Sequence, residues 1–138
     1  MSKDQSEESP ARVELFRTVE ESDLESFAQL SLDRNPVHFD PEFAKTTFFG
    51  QPVAHGMIGL SLLSGGLTEL MGPGNLWLGG EFKFEKPILV GDRLQAILEV
   101  ESMDRRGVAV IEARVENDRG ETLITARLKS MKARPSRR

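Results

Sequence analysis

The chain has 138 residues, a formal net charge of −4, 29% charged and 38% hydrophobic residues, and no cysteine. That length suits one domain, able to bury about two thirds of its unfolded surface. The mild acidity argues against a nucleic-acid partner, and the missing thiols exclude disulfides, thiolate catalysis and cysteine metal sites while fitting a reducing cytoplasm.

Residues 1–11 are charged and serine-bearing without apolar periodicity, so they read as a loose tail and not as a signal peptide. Residues 13–19 alternate Val13, Leu15, Arg17 and Val19 and predict a first strand. Ser22 with Glu25 three residues on is a capping-box pattern, and Leu24, Phe27, Ala28 and Leu30 form one apolar face, which together predict a helix over 23–32. Asn35-Pro36 ends that run, because the residue before proline is disfavoured in helical geometry. Asp40-Pro41 reads as an N-cap with a first-turn proline and opens a short helix to Lys45. The loop that follows, 48–52, carries Phe48 and Phe49; with Phe43 they are expected to pack as core more than as a ligand pocket.

Residues 54–71 predict a long helix, apolar nearly all round and therefore expected to be buried. Its glycines (Gly56, Gly59, Gly65, Gly66) weaken it by up to about 1 kcal/mol each, so close approach by a sheet or a ligand is expected in compensation. His55, Ser61, Ser64, Thr68 and Glu69 interrupt the apolar run, so no membrane span is expected. Strands follow at 76–86, 93–103, 108–116 and 122–132, joined by short turns such as Gly91-Asp92 and Asn117-Asp118-Arg119-Gly120. The end, 134–138, is basic and expected to be loose. One long helix and about five antiparallel strands make an α+β domain with the sheet wrapped round the helix, over 12–133, and its apolar edge strands invite a homodimer.

Chemistry concentrates between Leu32 and Gly65, which hold both histidines of the chain, His38 and His55. Asp33 stands five residues before His38, across a turn stiffened by Asn35-Pro36, and a helix start rich in backbone N–H groups follows. An acid, an imidazole and such donors are the parts of an acid–base site. Each residue also has a plainer reading. Asp33 ends a helix or pairs with Arg34; His38 is a turn residue bonded to backbone; Asn35 shapes the turn through its side chain. Asp40 caps a helix. His55 is either a core histidine that orients the loop or a participant in the chemistry. By spacing alone, Ser64 bonds the carbonyl four residues back. Two histidines with scattered acids do not make a metal set, and no cofactor is called for.

The run Asp33-Arg34-Asn35-Pro36-Val37-His38-Phe39-Asp40-Pro41-Glu42-Phe43-Ala44, followed by His55-Gly56-Met57 and by Pro87-Ile88-Leu89-Val90-Gly91-Asp92, resembles the MaoC-like dehydratases, the (R)-specific enoyl-CoA hydratases of the hotdog fold. Leu32 departs from the pattern, since many relatives have a small or acidic residue there. The resemblance implies hydration of a trans-2-enoyl-CoA to an (R)-3-hydroxyacyl-CoA, or the reverse dehydration. It implies that Asp33 and His38 hold and activate one water, that the Gly56 N–H binds the thioester carbonyl, and that Ser64 supports the site. Two other readings stand beside it: a hotdog acyl-CoA thioesterase, weakened because Glu69 is the only acid on the long helix and lies far from its start, and a non-catalytic acyl-CoA-binding domain. The acyl chain length, coenzyme A or acyl carrier protein as carrier, and the pathway, whether fatty-acid metabolism or another, stay open.

Overall fold

The computed structural model describes residues 10–134. Most of the expected N-terminal tail (1–11) and of the basic tail (134–138) therefore lies outside the described residues. Ala11 already accepts a hydrogen bond from Val100 N–H at 2.9 Å, so sheet contact begins there. The elements run β1 (Arg12–Thr18), α1 (Glu21–Ser31), a 3₁₀ turn (Pro36–His38), α2 (Pro41–Lys45), α3 (Gly56–Met71), β2 (Leu76–Phe84), β3 (Arg93–Met103), β4 (Val108–Glu116) and β5 (Thr122–Met131). The five strands form one antiparallel sheet in the order β1-β3-β4-β5-β2. α3 touches all five strands, so the sheet curves round it as expected of the hotdog arrangement.

Several local expectations shift for physical reasons. α1 starts earlier than the Ser22 pattern predicts, because Asp23 Oδ2 accepts the Glu20 N–H at 2.8 Å and Glu20 is the cap. Leu30 is not on the buried face; it is 82% exposed, while Leu24 and Ala28 are buried. α3 begins at Gly56 and not at Ala54, because the Ala54 N–H donates to Ile88 O at 2.7 Å and keeps that residue extended in an isolated bridge. β2 likewise ends at Phe84, two residues short of the expected strand.

The sheet covers one side of α3 only. Leu60, Leu63, Leu67 and Leu70 are buried against it, with Leu94, Leu98, Ile111, Ile124 and Leu128 opposite. Met57, Ser61, Ser64, Thr68 and Glu69 are exposed, so the helix is not buried all round. Its glycines do admit the sheet: a Cβ on Gly59 would stand 2.7 Å from Ile124 Cδ1, and one on Gly66 would overlap Leu98. The turn before β3 is tied down by Asp92, which is 3% exposed. Its carboxylate accepts the Leu89 N–H at 2.9 Å and Arg119 Nη1 at 2.8 Å.

Candidate active site

The loop between α1 and α2 is a chain of short side-chain caps. Leu32 turns the chain with φ 66° and donates its N–H to Ala28 O. Asp33 N–H then donates to Ser31 Oγ at 3.1 Å, Asn35 N–H to Asp33 Oδ1 at 3.1 Å, and Val37 N–H to Asn35 Oδ1 at 3.1 Å. Asp40 Oδ1 accepts the Glu42 and Phe43 N–H groups, which makes it the expected cap of α2. These bonds replace the ladder that Pro36 and Pro41 interrupt. Arg34 does not neutralise Asp33: both ends of its guanidinium reach Glu25, at 2.8 and 3.2 Å, and they hold the Glu25 carboxyl below the usual carboxylate range.

The two histidines lie face to face, with ring centroids 3.8 Å apart and planes inclined by 29°. Carbonyl partners set both tautomers, since a carbonyl only accepts. His38 Nδ1–H donates to Val53 O at 2.7 Å, which leaves the Nε2 lone pair free as a base. His55 Nε2–H donates to Asp33 O at 3.1 Å, which leaves the Nδ1 lone pair. Burial lowers the pKa of His55, and the charge of His38 adds to the effect; the Asp33 carbonyl and carboxylate act in the opposite sense.

Asp33, His38, His55 and Gly56 line one cavity of about 460 Å³, with Phe48 and Phe49 from the loop, Phe84 at the end of β2, and Lys86 and Pro87 just beyond that strand completing it. Gly56 opens α3 at the positive end of the helix dipole, ahead of the Ile58 N–H, which donates to His55 O at 3.0 Å. A Cβ there would stand 2.9 Å from the Phe84 ring, so only glycine keeps that ring beside the helix start.

Asp33, His38, His55 and Gly56 are thus brought together in one cavity, with Asn35 shaping the turn behind Asp33, but Ser64 is not. It is exposed on α3 and does not line this cavity, because the helix carries it about two turns beyond Gly56. Phe48 and Phe49 are not core either: Phe48 is 92% exposed, and the pair, 4.3 Å between centroids, forms part of the cavity wall. Glu69 is exposed near the far end of α3, away from the cavity. Sequence reasoning missed Val53, whose main-chain carbonyl orients His38, because a carbonyl has no side-chain signature. Phe84 and Lys86 were missed as well; the only available signal was the Pro87 motif just beyond them.

The acids are also less scattered than the sequence suggests. Asp33, His38 and His55 offer one possible ligand atom each within 4.8 Å of one another. The stack works against a shared ion. An imidazole binds a metal in its own ring plane at about 2 Å, and two planes inclined by 29° and stacked at 3.8 Å do not meet that close. The arrangement suits moving a proton.

Comparison with known proteins agrees with this geometry. The family model described as "MaoC like domain" matches residues 3–121, and the chain belongs to that family. It is 37% identical over 123 residues to an (R)-specific enoyl-CoA hydratase of Aeromonas caviae, covering 88% of this chain and 92% of the relative. It is 37% identical over 87 residues to a 3-hydroxybutyryl-CoA dehydratase of Methylorubrum extorquens, covering 62% of this chain and 55% of that one. Among solved structures, an (R)-hydratase from A. caviae involved in PHA biosynthesis superposes with a TM-score of 0.85 and 34% identity over 94% of this chain and 99% of the other. The fold is the hotdog fold of these proteins.

Proposed function

We propose that this chain is a hydro-lyase that adds water to a trans-2-enoyl-CoA to give the (R)-3-hydroxyacyl-CoA, and that it also catalyses the reverse dehydration. The observation that carries this reading is the meeting of the Asp33 carboxylate and the free Nε2 of His38 in one cavity at the start of α3. The names of the relatives supply the substrate class.

In this reading one water sits between Asp33 and His38. Asp33 orients it and helps deprotonate it, with His38 as the acid–base partner. The oxygen adds to C3 of the enoyl thioester, and a proton returns to C2, so one water is consumed and no other reactant is needed. Charge develops on the thioester oxygen as C3 is attacked. The Gly56 N–H at the helix start stabilises it, as a donor aimed at a developing oxyanion typically contributes about 3–4 kcal/mol. Asn35 and His55 hold the loop. Ser64 acts only if a neighbouring copy or a ligand reaches the exposed face of α3. No cofactor enters these steps.

The carrier is coenzyme A, with acyl carrier protein as the alternative, and the setting is cytoplasmic acyl-thioester metabolism. Among the described residues, no helix is long and apolar enough to cross a membrane. Residues 12–133 act as one domain. The protein works as a homodimer, which the exposed apolar residues of the β2 edge support.

Loss of the enoyl-thioester absorbance of crotonyl-CoA, without release of free thiol and with the (R)-alcohol as product, tests the reading. Asp33→Asn and His38→Gln should each lower kcat/KM by about 10²–10⁴-fold while the fold persists, the usual worth of acid–base help. Free thiol in the parent would move the assignment to a thioesterase. Unchanged turnover in Asp33→Asn would remove Asp33 from the mechanism.

A further inference from the structure

One side chain in the cavity wall touches both proposed catalytic groups. His55 is 2% exposed. Its Nε2–H holds the main-chain carbonyl of Asp33 at 3.1 Å, and its ring lies flat on His38 at 3.8 Å. Phe27 of α1 packs on it at 4.8 Å between centroids, and Phe39 at 5.8 Å. Any displacement of His55 therefore moves the acid through its backbone and the base through its ring face.

We propose that His55 is a positioning residue of the hydration reaction, locked as its Nε2–H tautomer, which sets the separation of Asp33 and His38 and takes no part in proton transfer itself. The inference rests on the hydratase reading above. Its own support is geometric. The tautomer follows from the carbonyl acceptor, and Nδ1 is buried with no hydrogen-bond partner among the described residues. Protonation would create a second buried N–H with nothing to accept it. It would also place a charge against the His38 ring and at the positive end of α3, for which His55 is the N-cap. The one group facing it that favours charge is Asp33, through its main-chain carbonyl and its carboxylate, and burial outweighs it; Arg34 is turned away to Glu25. A second imidazole that stays neutral leaves His38 as the only imidazole exchanging a proton with the bound water.

A histidine that merely fills the core makes different predictions. His55→Phe keeps the aromatic stack and removes the donor; His55→Gln keeps an N–H near the Nε2 position and removes the ring. If His55 positions the pair, His55→Phe lowers kcat by about ten- to a hundredfold, as misplacement of a catalytic group by about 1 Å does. KM for crotonyl-CoA changes little, the acid limb of the kcat/KM profile moves, and His55→Gln recovers part of the lost kcat. ¹⁵N imidazole spectra of the parent give a readout independent of activity. They should show one histidine as the Nε2–H tautomer, with its protonation held below the ordinary imidazole range by burial. A His55→Phe variant with parental kcat and pH profile would overturn the proposal, and so would spectra that show His55 as the Nδ1–H tautomer. If the parent hydrates no enoyl thioester, the hydratase reading falls, and with it the proposed reaction role, while the spectra still decide the tautomer. If both variants fail to fold, the parent spectra decide the same point.

Discussion

Leu32 closes α1 in the left-handed region, φ 66°, with its side chain 84% exposed. A leucine there meets a steric cost and recovers none of it by burial. Leu32→Gly should therefore raise unfolding free energy by about 0.5–1 kcal/mol, the left-handed penalty less the added chain entropy of glycine; urea unfolding of the two proteins checks it. An unchanged or lower midpoint would mean that the leucine does work in the assembled protein that the single chain does not reveal. Asp33 follows directly, and its neighbours show how far single residues were legible. Asp33, Asn35 and Asp40 stood out because short polar side chains beside prolines have few roles, and the caps they make are local. The hydrogen bonds from His38 to Val53 and from His55 to Asp33 were not legible, because main-chain carbonyls far along the chain accept them.

At the scale of the element, α3 is the informative case. Its composition announced a helix in close contact with something, and the contact is the sheet. The glycines differ in kind. A methyl on Gly66 would overlap Leu98, whereas one on Gly65 meets only Leu15 Cδ2 at 4.0 Å. Gly66→Ala should destabilise by about 1–3 kcal/mol, the usual cost of overpacking. Gly65→Ala should stabilise by up to about 1 kcal/mol through helix propensity. Thermal or urea unfolding of the pair must give opposite signs, and equal signs would show that the helix and sheet do not meet as described. The pattern of apolar residues could not say which face of α3 the sheet takes, because leucine and small residues alternate round the whole helix.

For the whole molecule, the two sheet edges are unlike. β1 is guarded by charge, with Arg12 paired to Glu14 at 2.8 Å and to Glu99 at 3.3 Å. β2 presents Leu76, Leu78, Phe82 and Phe84, each between 46 and 57% exposed. An apolar edge invites pairing, although Glu81 and Lys83 lie exposed on the same strand, and it is the surface on which the proposed dimer would form. Sedimentation of the parent should give twice the chain mass, and Leu78→Lys with Phe82→Glu should give the monomer. A monomeric parent would refute the dimer, and a dimeric double variant would move it off β2.

The elements and the chemistry-bearing turn were already legible in the order of residues. Strand alternation, the Asn-Pro and Asp-Pro breaks and the acid-to-histidine spacing are all local, and local sterics and hydrogen bonding are enough to set them. The strand order, the half-exposed state of α3, the placing of Ser64 outside the cavity and the stacking of His55 on His38 emerge only in the assembled fold. Those depend on which distant segments share a surface, and burial rewards many such pairings almost equally until the whole core is assembled.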